Sequence, residues 1–174
     1  VLADPAAELS GKVQAVVDPA FRRMMEQLHT DTHVLNAVIF QEFNGALVTG
    51  VQINGDGTAR MDFDLPEVDN DRLRRIENPI NALIAKDLAV TTSYLPLDDA
   101  YDEHGLIRTQ SAAPPPTTDG LIRIVEIAGL DRQACGGTHL SSTAGSGPIR
   151  ILKVDNKGRR NRRIKIGLVE VLGS

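Results

Sequence analysis

With 174 residues the chain has room for one domain of ordinary size, and two full domains would be cramped. Hydrophobic residues make up 41% and charged residues 24%, and no apolar run nears the roughly 20 residues that cross a bilayer, so a membrane-spanning role and a membrane partner are excluded. The single cysteine cannot close an internal disulfide and no charged-then-apolar leader follows Val1, which together point to the cytoplasm; aromatic content of 3% with no Trp argues against a base-stacking platform for single strands.

Residues 1 to 17 show little periodicity beyond a short strand expected at Val13 to Val17, and read as a loosely attached N-terminal segment of one domain spanning 1–174. Asp18-Pro19 is a helix start, and Phe21, Met24, Met25, Leu28, Leu35, Ile39 and Phe43 then recur at three- and four-residue steps, which predicts a long amphipathic helix ended by Asn44-Gly45. Leu47 to Ile53 and Ala59 to Leu65 read as extended, and Asn54-Gly55-Asp56-Gly57 between them supplies positive-φ turn residues, so the pair predicts a β-hairpin. A second long helix is expected from Asp69 or Asn70, with Leu73, Ile76, Ile80, Leu83, Ile84 and Leu88 on one stripe and Pro79 kinking or dividing it.

Val90 to Leu97 reads as a strand and Asp98 to His104 as a short helical turn, with His104 exposed beside Asp102 and Glu103. Residues 111 to 120 read as a loop. Leu121 to Ile127 and Ile149 to Val154 are predicted strands, and Ile164 to Val169 completes a terminal hairpin around Asn156-Lys157-Gly158. Strands punctuated by two long helices, without regular βα alternation, indicate an α+β fold in which an antiparallel sheet packs against both helices.

Charge is polarised along this pattern. Residues 157 to 165 read KGRRNRRIK, with cations at Lys157, Arg159, Arg160, Arg162, Arg163 and Lys165 and no acid, so the rest of the chain carries −10 against a total of −4. Such a stretch is either a solvated hairpin tip or a surface facing phosphates.

Two residue pairs carry the chemistry. His29 and His33 lie four apart on the first helix, so their imidazoles project from one face about a turn apart. Cys135 and His139 repeat that spacing in Cys135-Gly136-Gly137-Thr138-His139, where the glycines let the backbone wrap a small ion closely. A lone His pair of this kind is also what a helical surface or a satisfied core shows, and a lone Cys is often a small buried hydrophobe. Taken together, three of the four histidines and the sole cysteine form a donor set suited to zinc.

The segment CGGTHLSSTAGSGPIRILKVDNKGRRNRRIKI resembles the closing portion of the alanyl-tRNA synthetase editing domain and of its free-standing relatives, the AlaX proteins, and HTDTH preceded by RRMMEQL looks like the other half of the same signature. The resemblance runs from about Asp18 to Val169. It implies the fold shared by the alanyl- and threonyl-tRNA synthetase editing domains, zinc at His29, His33, Cys135 and His139, and hydrolysis of the ester joining serine, or sometimes glycine, to alanine tRNA. Larger relatives carry an N-terminal barrel with a GGGQ-type stretch ahead of the HxxxH helix; nothing like it occurs in residues 1 to 28, so the chain looks like the short AlaX form.

Thr49 in Val48-Thr49-Gly50 sits where the family places a polar residue facing the substrate side chain, and is the expected reader of serine. The backbone amides of Gly136 and Gly137 are expected to support a developing oxyanion. The basic hairpin gains a partner in the tRNA acceptor end, through phosphate contacts that give affinity and register but little sequence reading. The leading expectation is thus a trans-acting, ATP-independent deacylase. A non-catalytic zinc-stabilised tRNA-binding module is the alternative, and CGGTHL favours the alanyl over the threonyl branch.

Overall fold

The computed structural model describes residues 11, 12, 14–103, 105–108 and 116–169. Its first element, α1 (Pro19–Glu42), begins where Asp18 accepts the Ala20 and Phe21 amides at 2.8 and 3.1 Å, with the proline in the first turn where its missing N–H costs nothing. It ends where Asn44 and Gly45 both take positive φ, at 56° and 77°. The expected amphipathic stripe describes only part of this helix. Residues 30–39 are all buried, Thr30, Asp31, Thr32, His33 and Asn36 among them, because strands, a second helix and a loop pack around the middle of α1, whereas Phe21 at its start lies about half exposed.

Strands β1 (Val48–Ile53) and β2 (Thr58–Asp64) form the expected hairpin, in which Met61 faces Val51 across the ladder. The register slips between Val48 and Gly50, making Thr49 the extra residue of a bulge. The second long helix does not form as one piece. It is divided into α2 (Asn70–Arg74) and α3 (Glu77–Ile84), and the break falls at Arg75–Ile76, ahead of Pro79. The pyrrolidine ring would clash with the carbonyl four residues back, so Pro79 is accommodated in the first turn of a new helix rather than inside a continuous one.

Strand β3 (Val90–Pro96) leads into α4 (Leu97–Asp102), and β4 (Leu121–Ile127) is followed by β5 (Asp131–Ala134), β6 (Ile149–Asn156) and β7 (Asn161–Leu168). Two expectations are corrected here. Among the described residues the strands make two antiparallel sheets, one of four strands in the order β1-β2-β7-β6 and one of three in the order β3-β4-β5, and one long helix serves them rather than two. The four-residue strand β5 is too short for periodicity to reveal. Residues 14–17 form no strand, and Val13, His104 and 109–115 lie outside the described residues.

The main core joins α1 (Leu28, Leu35, Ile39) to the inner face of the four-stranded sheet (Met61, Phe63, Ile164, Ile166) and to Ile80 and Ile84 of α3. A smaller cluster of Ala100, Leu106, Ile122 and Ile124 sits under α4. Strand β4 bridges the two, since Ile127 belongs to the first and Ile124 to the second. This bridging brings the end of β5, and the glycine-rich loop after it, against the buried middle of α1.

Candidate metal centre

The loop Cys135–His139 starts where β5 ends, and one side chain holds it in shape: Arg123 of β4 donates from one guanidinium nitrogen to the carbonyls of Cys135 and Gly137, at 2.9 and 2.7 Å. The Leu140 amide donates to Thr30 Oγ1 of α1, which ties the far end of the loop to the helix. The result brings the two sequence pairs together. The ligand atoms of His29, His33, Cys135 and His139 all lie within 4.8 Å of one another, and Cys135 Sγ is 3.4 Å from Nε2 of both His29 and His139.

The groups behind the ligands suit that role. His33 Nδ1 lies 3.1 Å from Asp131 Oδ2 and His29 Nδ1 3.2 Å from the Thr138 carbonyl oxygen. Each ring then donates from Nδ1, which leaves Nε2 as the atom that can ligate a metal. A Cβ on Gly137 would stand 2.0 Å from His29 Cε1, so the loop approaches the ring as closely as only glycine allows. The soft and borderline donors, their mutual spacing and this cradle fit a metal ion, and the cluster can hold one.

The electrostatics agree. Burial pushes the Cys135 thiol up, but the imidazoles of His139, His29 and His33 outweigh it and hold the thiol well below its ordinary range, so sulfur is thiolate at neutral pH. Burial alone would lower His33, yet Asp131 and the Cys135 thiolate raise it. His139 is pushed down to about 4, chiefly by burial, and is neutral.

A cavity of about 280 Å³ opens beside the cluster, lined on the α1 side by His29, Thr32, His33 and Asn36, and opposite by Val51, Met61, Gln133 and Cys135. Gly136 also lines it, and among the described residues neither the Gly136 nor the Gly137 amide donates to a partner. Thr49 stands on β1, half-buried, beside Asn161. The bulge turns its hydroxyl to Asn161 Oδ1 at 2.9 Å, and the β1 residues on the cavity wall are Val48 and Val51.

The polar groups that sequence reasoning missed are Asn36, Asp131 and Gln133, with Arg108 and Arg123 around them. Asn36 was within reach, because it continues the helical stripe of His29 and His33; Asp131 and Gln133 sit on the unforeseen β5. The basic hairpin is partly spoken for. Arg162 is buried with its guanidinium on the Val68 carbonyl, Arg163 makes a two-pronged pair with Asp62 at 2.7 Å, and Arg160 pairs with Asp64 at 2.9 to 3.1 Å. Lys157, Arg159 and Lys165 make no ion pair among the described residues.

Comparison with known proteins follows the same line as the geometry. Residues 122–165 match the family model for the threonyl and alanyl tRNA synthetase second additional domain. The alanyl-tRNA editing protein AlaX-M of Saccharolobus solfataricus is 35% identical over 153 residues, which is 88% of this chain and 62% of that protein. The chain is similar to the alanyl-tRNA editing proteins along most of its length. AlaX-M of Methanosarcina barkeri is likewise 35% identical, over 91% of this chain and 64% of its own, and the alanine–tRNA ligase of Cutibacterium acnes is 33% identical over 88% of this chain and 17% of its own. The chain therefore spans a little over three-fifths of the length of the AlaX-M relatives it matches. No helix among the described residues is long and apolar enough to cross a membrane.

One residue inside the HTDTH signature has a measurable consequence for stability. Asp31 is buried, its Oδ2 accepts from Ser146 at 2.8 Å, and its Oδ1 has no partner; burial pushes its pKa from 3.8 to about 8, and the Ser146 bond only partly opposes this. The carboxyl is neutral in the fold and ionised in the unfolded chain, so its contribution is fully present below about pH 4 and is lost as pH rises toward 8. Asp31→Asn is expected to stabilise the metal-free protein increasingly over that window, by on the order of a few kcal/mol at its upper end. Thermal unfolding of both proteins in chelator from pH 4 to 8 tests this, and parallel curves would show that Asp31 stays charged in the fold.

Proposed function

We propose that this chain is a zinc-dependent editing domain that hydrolyses the ester joining serine, or glycine, to the acceptor end of alanine tRNA. The observation that carries the reading is the convergence of His29, His33, Cys135 and His139 beside a cavity large enough for a small amino acid. The alanyl-tRNA editing names of its relatives support the substrate class. Zinc held by these residues would supply Lewis acidity toward the ester and its attacking water.

The chain's own residues do the rest. Asp131 and the Thr138 carbonyl fix the rings of His33 and His29, and Arg123 holds the loop so that Gly136 borders the cavity. The unengaged Gly136 and Gly137 amides are the donors for charge developing on the ester oxygen. Met61, Val48 and Val51 form an apolar wall that excludes water from one side. Lys157, Arg159 and Lys165 are the hairpin cations left to meet acceptor-stem phosphates, a role in which affinity falls steeply with salt. We infer a cytoplasmic reaction from the tRNA substrate.

Four protein ligands also describe a closed, structural metal site, which favours a second reading as a non-catalytic zinc-stabilised tRNA-binding module. Single-turnover assays with Ser-, Gly- and Ala-charged alanine tRNA, with and without chelator, separate the two. Chelator-sensitive release of serine or glycine with Ala-tRNA spared is the expected result. Tight tRNA binding with no hydrolysis of any of the three would establish the module instead.

A further inference from the structure

The two histidines of α1 are held from behind in different ways. His29 Nδ1 goes straight to a backbone carbonyl, that of Thr138, whereas His33 Nδ1 depends on a side chain, Asp131 Oδ2 at 3.1 Å. The terminal torsion of an aspartate is soft, so where Oδ2 points is decided by what holds Oδ1. That holder is Arg108, whose Nη1 donates to Oδ1 at 2.8 Å. Its Nε donates to the Gly105 carbonyl at 2.7 Å, and its guanidinium carbon lies 4.1 Å from the ring centroid of Phe40, two helical turns on from His33. The backbone beneath is tied on both sides, because the Arg108 carbonyl accepts the Val48 amide of β1 and the Leu106 carbonyl accepts the Ala134 amide of β5. Gln133 Nε2 also donates to Oδ2, at 2.7 Å, closer than the His33 ring. Without the anchor at Oδ1 the carboxylate is free to follow Gln133 and leave His33. The Asp131 side chain is 1% exposed, so water does not replace a lost partner there.

We propose that Arg108 is a positioning residue of the metal centre: by fixing Asp131 it holds the His33 ring so that Nε2 faces the cluster. The assignment rests on the zinc-dependent reading above. Among the four clustered side chains the bonds of Arg108 lead only to His33. His29 answers to Thr138, and the loop that carries Cys135 and His139 is held by Arg123 and Thr30. The two arginines thus divide the work, Arg123 setting the loop and Arg108 the helix side. The geometry also calls for arginine rather than lysine. A planar guanidinium bonds a carboxylate and a carbonyl at once while lying on an aromatic ring, and a single ammonium does not.

Zinc competition against a chromophoric chelator, with proton–nitrogen NMR spectra of the histidine rings in the zinc-loaded protein, tests this without tRNA. Arg108→Met is expected to lower zinc affinity roughly 10- to 100-fold while the circular dichroism of the protein stays that of wild type. The Nδ1 proton of His33 is expected to exchange with water faster, whereas that of His29, bonded to the Thr138 carbonyl, keeps its signal. Arg108→Lys restores the charge and one of the two bonds, and is expected to recover part of the loss. Should Arg108→Met fail to fold, Phe40→Leu withdraws the surface under the guanidinium and must move the His33 proton in the same direction with His29 unmoved. Zinc affinity and a His33 signal equal to wild type in the folded variant would mean that Arg108 only packs or meets substrate. Loss of both histidine signals together would mean a general loosening, and either result overturns the proposal. A wild type that takes up no zinc removes the metal reading and the proposal with it; a wild type that takes up zinc no more tightly than Arg108→Met removes the role of Arg108 alone.

Discussion

On the proposed deacylase reading, Cys135→Ala is expected to give a folded protein that no longer takes up stoichiometric metal and, with it, loses deacylation. Cys135 Sγ stands 3.4 Å from two of the three imidazoles and is the one anionic member of the set, held as thiolate by those same imidazoles. Removing it takes away both a soft ligand and the charge that offsets a divalent cation. The fall in metal affinity should exceed the roughly 10- to 100-fold typical of losing an outer-shell partner. Metal analysis of the purified variant, with single-turnover hydrolysis of Ser-tRNA(Ala), measures both effects. The fold should survive, because Cys135 is only half-buried and belongs to neither hydrophobic cluster. Full metal occupancy together with full activity would mean that the site lies elsewhere.

Gly137→Ala should disable the same centre without touching a ligand. Its added Cβ would meet His29 at 2.0 Å from Cε1 and 2.5 Å from Nδ1, inside any real carbon contact. Neither partner can give way freely. The ring is anchored through Nδ1 to the Thr138 carbonyl, and Arg123 grips the loop at the carbonyls of Cys135 and Gly137. Relief therefore comes from displacing His29 or opening the loop, and either separates Nε2 from the sulfur. Metal affinity should fall on the order of 10- to 100-fold. Gly50→Ala serves as the control, since its Cβ would meet Asp62 Oδ2 at an ordinary 3.5 Å, and it should keep its metal. Equal metal affinity in both variants would show that the loop relaxes more easily than these contacts imply.

The cluster of His29, His33, Cys135 and His139 could be read along the chain because each pair is local. His29 with His33, and Cys135 with His139, are four residues apart, a separation that helix geometry or a tight glycine turn makes close whatever the rest of the molecule does. The hairpin of β1 and β2 and the start of α1 were readable for the same reason, since a positive-φ turn and an Asp-Pro cap act within a few residues. What could not be read is the bulge at Thr49, which leaves its hydroxyl on Asn161. A single-residue bulge reverses which side chains of a strand face inward, and Gly50 is the one local hint of it in Val48-Thr49-Gly50. The hairpin cations were visible as a cluster, but not that Asp62 and Asp64 on the neighbouring strand would take up Arg163 and Arg160.

Residue types and short-range spacing thus brought out the four clustered side chains, the helix that carries half of them and the turn that carries the other half. Folding alone decided that β5 forms and delivers Asp131 and Gln133 to that helix, that the strands divide into two sheets, and that Asn36 ends buried with its amide nitrogen on Gln133. The reason is one of range. Backbone dihedrals and the i, i+4 rise bring near residues together through covalent geometry, whereas contacts such as His33 with Asp131, 98 residues apart, exist only once the burial of a common core has made up for the entropy of closing the chain between them.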